Sequence, residues 1–294
     1  MIRAAIVLGV LWLSTDVRAW CQLRTRTGEV TRAGECATEG VPLAWQDRCV
    51  SYSVNSAESL DLDLETVRRI SAASFANWTT QVCEGDAPFP LQIQEDSPRA
   101  CTLAQHLTDG PNVHTLTFIE DWPEDFEENV YAITSVWHRA SDGAILDADM
   151  LVNETNGPFG ECPAGGCRPD EGGVTTVDLE SVLTHEIGHF FGLAHSQFAF
   201  ATMHASAPRG ETDKRTVSSD DILGVCGIYP LDGPAAACDF VPIGGLARFC
   251  EPQAGCSLRP ASKENATSGG LMAFLVLVVL RRTNRRSTRR RRTR

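Results

Sequence analysis

His185-Glu186-Ile187-Gly188-His189-Phe190-Phe191-Gly192-Leu193-Ala194-His195 is the stretch that decides how this 294-residue chain is read. On a helix, His185 and His189 are one turn apart and project from the same face. Two imidazoles so placed reach one Zn²⁺ at about 2.0–2.1 Å each. Glu186, one residue on, is rotated away from direct ligation but stays beside the water that the metal holds. Gly192 supplies the left-handed backbone that ends a helix without a Cβ clash. That turn swings His195 back as a third ligand. Three protein ligands leave the fourth zinc position open, as in a catalytic rather than a closed structural site. No packing or capping rule asks for three histidines at this spacing.

Outward from the motif, Thr175-Thr176-Val177-Asp178 has the Thr-x-x-Asp spacing of a capping box and predicts the helix start. Ser218 or Ser219 is the expected cap of a last helix, with Asp220 and Asp221 in the first turn where the dipole favours negative charge, and Pro230 as its stop. Upstream, Asp63 predicts the cap of a helix over residues 64–80. Val67, Ile70, Phe75 and Trp78 share one face of it, a core stripe rather than a site. Residues 51–54, 91–94, 115–119, 131–137 and 145–152 read as strands. Cys162 and Cys167 lie in a loop rich in Gly and Pro. They either close a small disulfide or pair elsewhere.

The motif resembles the signature of the metzincin metallopeptidases. Met203, eight residues after His195, stands where that clan has its methionine turn beneath the metal. Ser196 after the third histidine, and Asp220-Asp221-Ile222 ahead of Ile228-Tyr229, are similar to the matrixin branch. The resemblance implies an α+β (α/β) fold over residues 45–230. Its parts are a twisted, mostly parallel sheet with an antiparallel edge strand, an active-site helix and a C-terminal helix. It further implies one catalytic Zn²⁺ on His185, His189 and His195, with Glu186 as general base and Met203 supporting the site without ligating. The substrate is then a protein or peptide, lying antiparallel along an edge strand, residues 131–137.

The departures carry weight as well. Matrixins have a propeptide cysteine within Pro-Arg-Cys-Gly, whereas Cys36 stands in Gly34-Glu35-Cys36-Ala37. A disulfide is the expectation for it, and a latency switch the alternative. His204 follows Met203 where matrixins usually carry tyrosine, which rebuilds the wall of the specificity pocket. The His/Asp loop of the family's structural zinc is not recognisable. Asp147 and Asp149 raise Ca²⁺, but alternating acids on a strand read first as a solvated face, so calcium stays unsupported. His106, His114 and His138 have no partner at ligand spacing.

Composition fixes the setting. With 43% hydrophobic and 22% charged residues, wholesale disorder and a polytopic membrane protein are excluded. The net charge of −12 averages unlike parts, since the last fourteen residues hold nine arginines and no acid. Such an acidic body does not bind nucleic acid by counterion release. Residues 1–19 have the positive start, apolar run and small-residue end of a secretory signal. Residues 20–44 form a short Cys-bearing segment, and residues 231–268 a Cys-bearing linker. Residues 269–294 are an apolar run, Leu271–Leu280, followed by arginines, and that run is too short for a permanent membrane span. With Cys256 upstream they resemble the C-terminal sorting tails of myxobacterial exported proteins, which implies secretion or surface attachment. A weak membrane-retention helix is the alternative. Eleven cysteines are odd in number. Assigning Cys256 to the tail leaves ten for up to five disulfides. The expected state is a monomer, and the rival function a surface-displayed adhesion module keeping zinc for stability alone.

Overall fold

The structure, a computed structural model, describes residues 20–26, 36–57, 59–101, 104–230 and 238–247, together with the backbone of residues 273–282. The expected export signal, Cys256 and the arginines beyond residue 282 lie outside the described residues.

Asp63 opens the first helix as expected: its carboxylate accepts from Thr66 N at 2.9 Å. That helix, α1 (Leu64–Thr79), follows strand β1 (Cys49–Val54) and precedes β2 (Gln92–Glu95) and β3 (Thr115–Ile119). Strands β4 (Val130–Arg139) and β5 (Ala144–Asn153) come next, then α2 (Leu179–Phe190), the short β6 (Ser206–Ala207), α3 (Ser219–Ile228) and β7 (Ala273–Arg282). The main sheet runs β6–β7–β4–β5–β3–β1–β2. Strands β2, β1, β3 and β5 are mutually parallel, and β4 is antiparallel to β5. This is the mostly parallel sheet with an antiparallel outer strand that the α/β reading predicts.

The apolar run near the C-terminus, read as part of a sorting tail with a membrane-retention helix as the alternative, is a strand here. Its backbone pairs antiparallel with β4 from Ala273 opposite Arg139 to Arg281 opposite Val130, and parallel with β6 on its other side. The outer edge of β4, expected to be free, is therefore covered by β7. Among the described residues no helix is long and apolar enough to cross a membrane.

The core lies between the sheet and the two long helices. Val67, Ile70, Phe75 and Trp78 of α1 are buried there, and the Trp78 indole N–H donates to Thr184 O of α2 at 2.8 Å. Phe75 stacks on Tyr52 with centroids 4.1 Å apart and meets Phe190 edge-on. All ten residues of β5 are buried. Ala148, Met150 and Val152 join the core. Asp147 and Asp149 alternate with them on the opposite face, which residues 105–115 cover. These acids are thus no solvated face. Asp147 accepts from His114 Nδ1 at 2.6 Å and pairs with His106 Nδ1 at 3.2 Å. Asp149 takes the Thr115 N–H at 2.7 Å, the Thr115 hydroxyl at 2.9 Å and the Gln105 N–H at 2.9 Å. Each carboxylate oxygen faces a protein donor, which offsets the cost of burying it. Burial and the neighbouring Asp147 charge hold Asp149 well above the usual carboxylate range.

Among the described residues, disulfides staple the frame at Cys21–Cys36, Cys49–Cys238, Cys83–Cys226 and the local Cys162–Cys167 loop. Cys101 is disulfide-bonded as well. Cys36 is therefore a disulfide partner in this structure, not a free thiol available to cap a metal.

Candidate metal centre

The start of α2 is set one turn later than the capping-box spacing predicts. Asp178, not Thr175, is the cap, accepting from Ser181 N at 2.9 Å. The tertiary setting decides this. The same carboxylate is gripped by Arg215 through Nε at 2.8 Å and Nη2 at 2.5 Å, and also takes the Cys162 N–H. A bidentate guanidinium of this kind is among the stronger anchors available to a carboxylate.

From that start, His185 and His189 fall on one face one turn apart, both fully buried. His185 Nδ1 lies 2.7 Å from Thr202 O, and His189 Nδ1 lies 2.8 Å from Leu193 O. A carbonyl only accepts, so each Nδ1 carries the proton and each Nε2 is left with its lone pair. The two Nε2 atoms stand 3.1 Å apart. Two bare acceptors facing each other in a buried site repel unless a cation lies between them. Burial, above all, holds His185 well below its ordinary pKa and His189 down to about 3, so both are neutral, ligand-ready imidazoles.

The helix ends as the glycine predicts. Gly192 has φ +89°, and a Cβ there would lie 2.9 Å from Leu43 O. Its N–H donates to His189 O at 2.9 Å. The chain then turns into Leu193–Ala194, which pairs antiparallel with Cys21–Gln22, while Leu23 N donates to Gly192 O at 2.8 Å. So the Cys-bearing N-terminal segment holds the loop that delivers His195. One ligand atom from each of His185, His189 and His195 lies within 4.8 Å of the others. Three imidazole nitrogens around one point suit Zn²⁺ with an open fourth position. The residues present fit the metal.

Met203 packs against the helix at Gly188. A Cβ on Gly188 would fall inside its thioether, so the glycine between the two helix histidines is what admits it. Ser196 N donates to Met203 O at 2.9 Å, closing the loop from the third histidine. The acids opening α3 do more than favour the helix dipole. Ser218 caps that helix, Asp221 accepts from Met203 N at 3.3 Å, and Asp220 accepts from Ser196 Oγ at 2.8 Å. His204, beside Met203, is half-buried, with Nδ1 3.2 Å from Ser206 O.

Glu186 is fully buried. Thr134 Oγ1 of β4 donates to its Oε2 at 2.6 Å, while Oε1 is buried without a hydrogen-bond partner among the described residues. Burial pushes its pKa up to about 8, against the Thr134 hydrogen bond and the charge of Lys214. Thr134 and Lys214 carry no motif, and sequence reasoning missed both. The only signal for Thr134 is its place on the expected strand over residues 131–137.

A helix-borne histidine pair, a third histidine delivered by a glycine turn and a methionine packed against that helix match the metzincin pattern expected from the motif. Residues 44–230 match the profile of the Matrixin family, Peptidase_M10, and the chain belongs to that family. Metalloendoproteinase 1-MMP of Arabidopsis thaliana is 51% identical over 53 residues, 18% of this chain and 14% of that protein. Karilysin of Tannerella forsythia is 37% identical over 67 residues, 21% of this chain and 14% of that protein. Human matrix metalloproteinase-25 is 23% identical over 188 residues, 63% of this chain. That match covers 29% of the human protein, so the chain spans less than a third of the length of these relatives.

Proposed function

We propose that this protein is an exported zinc-dependent endopeptidase with Glu186 as its general base. The observation that carries the reading is the Glu186 carboxylate. On the helix that carries His185 and His189, it has one oxygen tied to Thr134 and the other buried without a hydrogen-bond partner among the described residues. Zinc held by His185, His189 and His195 would supply Lewis acidity, lowering the pKa of water and polarising the substrate carbonyl. Glu186 Oε1 takes a proton from the attacking water as its oxygen bonds to the carbonyl carbon. Glu186 then delivers that proton to the departing amine nitrogen as the C–N bond breaks. Thr134 keeps Oε2 in place through both transfers. Met203 and the Thr202 and Leu193 carbonyls fix the imidazoles.

The disulfides support an oxidising compartment, and with residues 1–19 they favour export. Attachment at the cell surface through the tail near Cys256 extends this reading, for a protein acting as a monomer. The test is hydrolysis of casein by the zinc-loaded chain. Cleavage should stop with a chelator and return with added Zn²⁺. A folded, zinc-loaded chain that leaves casein intact would favour the adhesion module.

A peptide substrate that adds to β4 by main-chain hydrogen bonds competes with β7 for one edge, because a strand edge pairs once. Each ~1.4 kcal/mol by which β7 favours that position raises the apparent KM about tenfold. A chain ending at residue 268 is expected to show a lower KM at unchanged kcat on a short peptide. Equal KM values for the two chains would mean that substrate does not use this edge.

A further inference from the structure

Lys214 is a charge in the wrong place for a surface loop residue. It sits in the single turn Asp213–Arg215, yet it is only 5% exposed. Among the described residues no carboxylate lies within ion-pair distance of its ammonium. Removing an ammonium from water costs several kcal/mol unless its protons find acceptors. Here all the acceptors come from one short piece of chain. Nζ donates to Thr202 O at 2.8 Å, His204 O at 2.7 Å and Ala201 O at 3.4 Å. These are the carbonyls flanking Met203, whose own carbonyl is turned instead to Ser196 N. Three carbonyl dipoles converging on one point repel one another, and the ammonium is what lets them converge.

The consequence reaches the metal site through one atom. Thr202 O accepts from Lys214 Nζ and also from His185 Nδ1, at 2.7 Å. That second bond sets the His185 tautomer and the direction of its Nε2 lone pair. Groups that orient a ligating histidine through its far nitrogen typically change metal affinity by 10–100-fold when removed.

We propose that Lys214 is a positioning residue of the metal centre, pinning the carbonyls around Met203 so that Thr202 O holds His185 in its metal-binding orientation. The proposal rests on the zinc reading above. It differs from a purely structural role in what it moves: the ligand field at the metal, and not only the stability of the fold.

The test uses the full chain with zinc and, separately, with Co²⁺ as a visible probe. Lys214→Met keeps length and removes charge and donors. It is expected to weaken zinc about 10–100-fold in competition with a chromophoric chelator and to shift the Co²⁺ absorption bands. Urea unfolding of the metal-free proteins measures the structural contribution alone. Wild-type zinc affinity and Co²⁺ bands in Lys214→Met, with stability alone reduced, would overturn the proposal. Should Lys214→Met not fold, Lys214→Arg decides, since it keeps the charge and moves the donors. It should shift the Co²⁺ bands and weaken zinc several-fold, and a wild-type spectrum and affinity there overturn the proposal too. Failure of the unaltered chain to bind zinc would sink the zinc reading instead, so the two outcomes are distinguishable.

Discussion

Glu186→Gln is expected to lower kcat by about 10²–10⁴-fold, the usual contribution of a positioned general base, while a single zinc stays bound per chain. The substitution is nearly isosteric. Its amide oxygen can still accept from Thr134 Oγ1, the partner that holds Glu186 Oε2 at 2.6 Å. The three histidines keep their own anchors. His185 is fixed by Thr202 O, and His189 by Leu193 O, with no contribution from the Glu186 carboxylate. What is lost is an acceptor for the proton of water at the position of Oε1, because an amide is not basic at working pH. Metal analysis and single-turnover hydrolysis of a fluorogenic peptide measure the two sides separately. Unchanged hydrolysis with zinc retained would show that another group takes the proton. Loss of zinc along with activity would mean that Glu186 supports the ligands, and the base assignment would lose its main support.

How much of this was legible beforehand depends on whether a signal is local. The spacing of His185, His189 and His195 and the glycine turn at Gly192 are local facts of helix geometry, and the structure brings those side chains together as the spacing implies. The Asp63 cap and the apolar face of α1 are local in the same sense. Signals failed where distant chain made the decision. Thr134 is 52 residues from Glu186, and nothing in a strand pattern says which hydroxyl will meet a carboxylate. Lys214 stands in Glu211-Thr212-Asp213-Lys214-Arg215, which reads as a solvated loop until the carbonyls around Met203 turn toward it. Asp147 and Asp149 alternate on a strand as exposed acids do. Only the cover of residues 105–115 makes them buried hydrogen-bond hubs. For the start of α2 the reading rests on the Thr175 box alone, and the cap at Asp178 is held by Arg215, 37 residues further on, which no local pattern displays. The apolar run ahead of the arginines shows the ambiguity of short apolar stretches, which periodicity cannot divide between helix and strand. An unpaired edge on β4 is what the strand reading needed, and the sequence does not display it.

The second large effect is expected at Gly188, where helix propensity and tertiary packing oppose each other. In an isolated helix, Gly→Ala is favourable by about 0.8–1.0 kcal/mol. In α2 the new Cβ would overlap the Met203 thioether, lie 2.9 Å from Met203 Cε and stand 3.0 Å from Trp78 Cζ2. Burial limits how far either neighbour can yield. Trp78 and Met203 are both buried, and the Trp78 indole is tied to Thr184 O at 2.8 Å. Overpacking of this kind costs about 1–3 kcal/mol, more than propensity returns. Gly188→Ala should therefore lower Tm by a few degrees and weaken zinc, since the displaced methionine adjoins Thr202, whose carbonyl holds His185. Met203→Ala alone leaves a cavity and costs about 2–5 kcal/mol, as large-to-small core changes do. Combined, the two changes relieve each other, because the added methyl enters space that the thioether has left. The double variant should then be more stable than the sum of the single effects predicts, by about 0.5–3 kcal/mol, the range for residues in contact. Denaturant unfolding of the metal-free proteins measures this coupling, and zinc affinity measured beside it reports the site. Additivity within about 0.3–0.5 kcal/mol would mean that Gly188 and Met203 do not share the space the structure assigns them, and Met203 would then be held by the Asp221 and Ser196 bonds alone.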